Sequence, residues 1–197
     1  MNITTLGLEL PTDPRWVNIA AMQLGDILID HAYCEQKAAS SCISLIVHYP
    51  EKTRLVEVLT PIVAEEWGHF QRVLKELRSR GLSLGRQRKD EYVGQLMKLV
   101  RNKGDYEEAL LDKLLVCALV EARSCERFKL LSEKLEDAKL VKFYRELMIS
   151  EAGHYRTFLE LAETYCPKEL VRQRWKEFLQ AEAEIIQGLK PRSDRMH

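Results

Sequence analysis

The chain has no net charge: 30 lysines and arginines stand against 30 aspartates and glutamates in 197 residues. A whole-molecule attraction to a polyanion is thereby excluded, and any contact with nucleic acid has to come from local charge. No apolar run approaches the roughly 20 residues that cross a bilayer, and the start lacks a basic-then-apolar signal pattern. A soluble, cytoplasmic protein with no membrane partner is expected. The five cysteines, Cys34, Cys42, Cys117, Cys125 and Cys166, are odd in number and form no C-x-x-C pair. They read as reduced packing residues. Nothing marks a division of the chain, and 46% hydrophobic residues suffice for one substantial core, so a single domain over 1–197 is expected.

What is present is a repeat. Glu65-Glu66-Trp67-Gly68-His69-Phe70 and Ser150-Glu151-Ala152-Gly153-His154-Tyr155 both read Glu-x-Gly-His-aromatic. A glutamate and a histidine three residues apart on a helix project from one face, where carboxylate and imidazole can reach the same metal ion. One such pair is a weak signal. Here each has a glutamate upstream at matching distance: Glu35 precedes Glu66 by 31 residues and Glu121 precedes Glu151 by 30. A leucine five residues past each histidine, Leu74 and Leu159, recurs as well. The match suggests a duplicated helical hairpin carrying two equivalent half-sites.

The surroundings of these acids place them on core faces. Leu140, Tyr144, Leu147, Glu151, His154, Phe158 and Leu161 follow at steps of four and three, as do Leu59, Ile62, Glu66, His69 and Val73. Glu121 lies on the stripe Leu114, Ala118, Glu121, Cys125, Phe128, and Glu35 on Leu28, Ala32, Glu35, Ala39, Cys42, Ile46. Burying ionised carboxylates without partners costs several kcal/mol each. Two divalent cations resolve the conflict. Four carboxylates and two imidazoles form a hard, oxygen-rich set that suits iron or manganese and differs from structural zinc sites. A di-iron centre is expected, with Glu35 and Glu121 as terminal ligands, Glu66 and Glu151 as bridging candidates, and His69 and His154 as one nitrogen ligand per ion. Dioxygen is then the co-substrate, and these six residues are catalytic through the iron.

The organisation is all-helical. Helices are expected over 13–48, 51–80, 105–135, 137–165 and 168–187, with Pro61 bending the second or restarting it at Thr60. The connection over 81–104 is too long for a tight turn and holds its own helical segment near 90–101. Two antiparallel pairs joined by a crossover make a ferritin-like four-helix bundle, here with an extra C-terminal helix. Other candidates compete for roles. Glu126 reads as solvated or as supporting a ligand, Glu65 as a surface acid, and His31 as a hydrogen-bonded core histidine. Tyr33, Tyr144 and Tyr155 read as core residues.

Charge is locally unbalanced. Between Arg72 and Lys103 ten basic residues stand against three acidic ones. The crossover members Arg86, Arg88, Lys89, Lys98, Arg101 and Lys103 are candidates for holding a phosphate backbone.

Over nearly its whole length the chain resembles the bacterial tRNA hydroxylases that act on 2-methylthio-N6-isopentenyladenosine beside the anticodon. The stretches that carry the resemblance are Asp30-His31-Ala32-Tyr33-Cys34-Glu35-Gln36-Lys37-Ala38 and Glu65-Glu66-Trp67-Gly68-His69-Phe70, with the pattern Glu35, Glu66-x-x-His69, Glu121, Glu151-x-x-His154. The resemblance implies insertion of one oxygen atom of dioxygen into the isopentenyl side chain at position 37, fed by an external electron donor. It also implies a tRNA anticodon stem-loop as partner, and a monomer is expected. The rival readings are a quinone-type di-iron hydroxylase, which would show an exposed apolar helix, and a ferroxidase or iron-storage protein, which would form a cage.

Overall fold

The structure, a computed structural model, describes residues 5–101, 105–190, 192 and 194–196. Among them every regular element is helical: α1 (Pro14–Met22), α2 (Leu24–His48), α3 (Thr53–Ser79), α4 (Glu91–Leu96), α5 (Tyr106–Lys134), α6 (Ala138–Tyr165) and α7 (Lys168–Gly188), with 3₁₀ turns at Thr5–Gly7 and Met97–Leu99. Contacts gather into two compact units, Ile19–Lys89 with Arg192–Met196, and the remainder of the chain.

The first unit is the hairpin of α2 and α3. The two helices are joined by a tight connection in which Tyr49 N–H bonds to Leu45 O and Lys52 N–H to Tyr49 O, so they run antiparallel. Leu28, Ala32, Ala39, Cys42 and Leu45 of α2 and Leu55, Leu59, Ile62, Val73 and Leu77 of α3 are buried, each leucine contributing about 2 kcal/mol of burial. The helix expected over 13–48 is instead two. Gln23 leaves the helical region (φ −126°, ψ 47°) between α1 and α2. No proline or glycine stands at Gln23 to announce this break, so tertiary packing rather than local propensity sets it. Two residues on, Gly25 lies so close to Leu82 that a side-chain carbon there would meet Leu82 Cδ1 at 3.0 Å.

Pro61 does not interrupt α3, which is continuous from Thr53 to Ser79. Its ring lies on the exposed side, and Thr60 Oγ1 donates to Val56 O at 2.7 Å instead of capping a new start. The helix ends where Gly81 takes φ +70°, with Gly81 N–H bonded to Arg78 O and Leu82 N–H to Leu77 O, the paired closure that a left-handed glycine permits.

In the second unit α5 and α6 form the other hairpin. Asp105 caps α5 by accepting from Glu107 N, and Asp137 caps α6 by accepting from Lys139 N and Leu140 N. Phe128 and Phe143 close on Tyr144 with ring centroids 5.5 and 5.3 Å away. Helix α7 also packs on α5, which is therefore covered on two sides and buries Leu110, Leu111, Leu114, Leu115, Ala118, Leu119, Ala122 and Leu131.

Two buried ionic clusters pin this unit. The Asp112 carboxylate accepts from Arg101 Nε at 2.8 Å, Arg101 N at 2.9 Å and Arg174 Nε at 2.8 Å, tying the end of the crossover and α7 to α5. Deeper still, Arg123 of α5 meets Glu182 of α7, Leu10 O and Glu126. Glu126, expected in solvent or in support of a ligand, is buried and accepts from Thr12 Oγ1 at 2.5 Å and Arg123 Nη1 at 2.6 Å. The reason is the N-terminal lead, which runs over this face of α5 and supplies the hydroxyl.

Candidate metal centre

Each hairpin brings together the three residues that its sequence pattern singles out. In the first, Glu35 comes from the middle of α2 and Glu66 and His69 from one face of α3. One donor atom from each lies within 4.8 Å of the others. His69 Nδ1 stands 3.4 Å from Glu35 Oε2 and 3.7 Å from Glu66 Oε2. In the second, Glu121 comes from α5 and Glu151 and His154 from α6, again with donor atoms within 4.8 Å, and His154 Nδ1 lies 3.3 Å from Glu151 Oε2. All six side chains are buried, Glu66 to 1% and Glu151 to 2% exposure.

The electrostatics of the first triad show what it wants. Burial alone would lower the His69 imidazole, but the carboxylates of Glu35 and Glu66 outweigh that and push it up to about 9. Burial likewise raises Glu35, yet His31 and His69 beside it hold the carboxyl below its usual range. Two acids that force a proton onto a buried imidazole form a site that demands positive charge. A divalent cation meets that demand with better geometry than a proton, and the oxygen-rich donor set fits a hard metal. The same donors recur in the second triad. Nearby, burial first and then Glu121 and Glu126 push the Cys125 thiol up to about 11, which keeps it a neutral packing group.

Of the tyrosines expected in the core, Tyr144 is fully buried, whereas Tyr33 and Tyr155 are only half-buried because each reaches out to a neighbouring segment. His31 is fully buried, and its Nε2 lies 2.6 Å from Glu35 Oε1. The imidazole was legible as a hydrogen-bonded core residue, but its partner was not. Tyr33 OH donates to Gly85 O at 2.7 Å and so fastens the segment after α3 to α2. Tyr155 packs against Trp175, with ring centroids 6.0 Å apart. Glu65 is exposed.

The basic candidates divide in two. Arg86, Lys89 and Lys98 are exposed. Arg88 pairs with Asp26 and lies 3.6 Å from Asp194, while Arg101 is spent on Asp112 and Glu108. Lys103 lies outside the described residues. Among the described residues no helix is long and apolar enough to cross a membrane.

Comparison with known proteins bears on the whole of this arrangement. A curated relative from Pseudomonas putida, named tRNA 2-(methylsulfanyl)-N(6)-isopentenyladenosine(37) hydroxylase, is 37% identical over 181 residues, covering 92% of this chain and 87% of its own. One of the same name from Salmonella typhimurium is 28% identical, covering 91% and 83%. A solved structure from Synechococcus, described as protein 43 with aldehyde deformylating oxygenase activity, superposes with a TM-score of 0.91 at 36% identity over 96% of this chain and 94% of that one. The fold class is accordingly ferritin-like and all-helical. Residues 2–197 match the family described as tRNA-(MS[2]IO[6]A)-hydroxylase (MiaE), and the chain belongs to that family.

Proposed function

We propose that the protein is an O2-dependent di-iron monooxygenase that hydroxylates the isopentenyl side chain of 2-methylthio-N6-isopentenyladenosine-37 in tRNA. The observation that carries this reading is the pair of buried Glu/Glu/His triads, one per hairpin, in a chain of this family. Glu35, Glu66 and His69 would hold one iron and Glu121, Glu151 and His154 the other. On this reading the two units act together as one domain. When bound, the metal pair supplies electrons to dioxygen in two-electron steps.

The protein's own residues do the rest. Burial holds the six ligand side chains in place, so that they would be positioned before a metal arrives. The apolar stripes around them, Leu59, Ile62 and Val73 on α3 and Leu147, Phe158 and Leu161 on α6, keep water from the reacting carbon. The balance is one C–H bond converted to C–OH, with the second oxygen atom leaving as water after uptake of two electrons and two protons. An external donor supplies the electrons.

The target base lies in the single-stranded anticodon loop, where it can leave the stack at small cost. Arg86, Lys89 and Lys98 would hold the phosphates of the stem-loop, while Arg88 and Arg101 fix the segment that presents them. We assign the protein to the cytoplasm as a monomer, where its tRNA partner is found.

The test is mass spectrometry of nucleosides from isopentenylated tRNA after incubation with iron-loaded protein, a chemical reductant and labelled dioxygen. One labelled oxygen in the modified adenosine is expected. Unlabelled adenosine with two irons per chain would overturn the substrate assignment. The likeness to the Synechococcus oxygenase favours one second reading, action on an aldehyde, and a parallel incubation with aldehydes separates the two.

A further inference from the structure

The two hairpins match at every proposed ligand but not one turn earlier. Glu35 and Glu121 are 86 residues apart, and the same interval carries His31 onto Cys117. One half therefore has a fully buried imidazole on the ligand's own helix, and the other has a half-buried thiol, a weak donor.

We propose that His31 is a positioning residue for Glu35, which ties down one carboxylate oxygen and makes the two metal half-sites unequal. This rests on the di-iron reading above. A carboxylate oxygen only accepts, so at 2.6 Å His31 Nε2 must donate its hydrogen to Glu35 Oε1. The bond is of the short, charge-assisted kind. Glu35 Oε2 then turns the other way, where it lies 3.4 Å from His69 Nδ1. With Oε1 accepting from the imidazole, Oε2 is the oxygen that Glu35 turns toward His69 and would offer to a metal first. Helical spacing fixes the arrangement, because residues four apart stand one above the other on one face. At Glu121 the matching position holds Cys117, whose thiol is a weaker donor than the His31 imidazole.

An unequal pair suits a site that must bind dioxygen at one end. It also predicts that the two metals differ in the resting protein, before any substrate is present.

The experiment is anaerobic titration of the metal-free protein with ⁵⁷Fe(II), read by metal stoichiometry and Mössbauer spectroscopy and independent of turnover. Wild-type protein is expected to bind two irons per chain, giving two distinct quadrupole doublets of equal area. His31→Leu should weaken one site about 10- to 100-fold and shift or remove one doublet, the scale usual for losing a ligand's hydrogen-bond partner. His31→Gln, whose amide can place a donor near the position of Nε2, should restore it, and Cys117→Ala should change neither doublet. A single doublet from two equal sites in wild-type protein overturns the inference without any variant. So does equal weakening of both sites in His31→Leu, which would mean that the imidazole only supports the fold. Binding of fewer than two irons by wild-type protein would instead defeat the di-iron reading itself.

Discussion

Arg123 on α5 and Glu182 on α7 form a two-pronged pair with neither side chain exposed: Nε lies 2.9 Å from Oε1, and Nη2 lies 2.7 Å from Oε1 and 2.9 Å from Oε2. Tyr92 OH adds a bond to the same Oε1 at 3.0 Å. Arg123 follows Glu121 by two residues, so the pair fastens the turn of α5 that carries a proposed ligand.

Arg123 also serves Glu126 at 2.6 Å, so losing Glu182 leaves the guanidinium one acidic partner, whereas losing Arg123 takes the cation from two buried carboxylates. Arg123→Met should therefore cost about 3–5 kcal/mol in urea unfolding, and Glu182→Ala less. Arg123→Met with Glu182→Leu and Glu126→Leu should recover most of the loss, since apolar side chains avoid the cost of burying charge. A triple variant as unstable as Arg123→Met would show that the geometry of the cluster, not its charge, holds α7 in place.

Asp112 gives a pH dependence with a definite sign. Burial pushes its carboxyl up, but bonds from Arg174 and Arg101 outweigh this and hold it below its usual value. A lowered acid contributes stability above the unfolded-state value, about 3.9, and the contribution fades as pH falls through the folded-state value. Stability measured from about pH 6 down to about pH 3 should thus fall less steeply in Asp112→Asn than in wild-type protein. Equal slopes would remove Asp112 from the acid response.

These two clusters mark the limit of what the chain reveals without its structure. Glu66 with His69 and Glu151 with His154 were legible because three-residue spacing on an apolar stripe is local information. Glu35 and Glu121 were legible because the interval repeats. Arg123 and Glu182 are 59 residues apart, and a charge amid a helical pattern reads as a solvated one until a partner helix covers it. Glu126 was misjudged for the same reason, its partners being Thr12 and Arg123. The break at Gln23 carries no sequence mark, and the approach of Leu82 to Gly25 beside it comes from more than fifty residues away.

The C-terminal segment supplies another long-range contact of this kind. Met196 is fully buried, its N–H donates to Asp30 Oδ2 at 2.7 Å, and Arg195 Nη1 donates to Asp30 Oδ1 at 3.1 Å. Asp30 directly precedes His31 on α2. Asp30→Ala should cost about 1–3 kcal/mol by stranding buried donors, and hydrogen exchange should show α2 losing protection around that turn. Unchanged exchange there would mean that the tail adds nothing to the order of α2.

The basic stretch separates into cations available to a phosphate and cations already spent within the protein. Arg86 and Lys89 are exposed, and neither has an ion-pair partner among the described residues. Arg88, between them, is held by Asp26 and Asp194. Each exposed cation that neutralises a phosphate releases counterions, so its loss should flatten the dependence of tRNA affinity on salt. The decrease expected is about 0.7–0.9 in the log–log slope per contact. Arg86→Ala with Lys89→Ala should therefore weaken binding most at low salt, with iron content unchanged. Arg88→Ala removes a partly exposed ion pair worth at most about 1 kcal/mol and should leave the slope nearly as it was. A loss of slope in Arg88→Ala equal to that of Arg86→Ala would mean that the RNA displaces Asp26 and Asp194 from the guanidinium, making this arginine part of the binding surface.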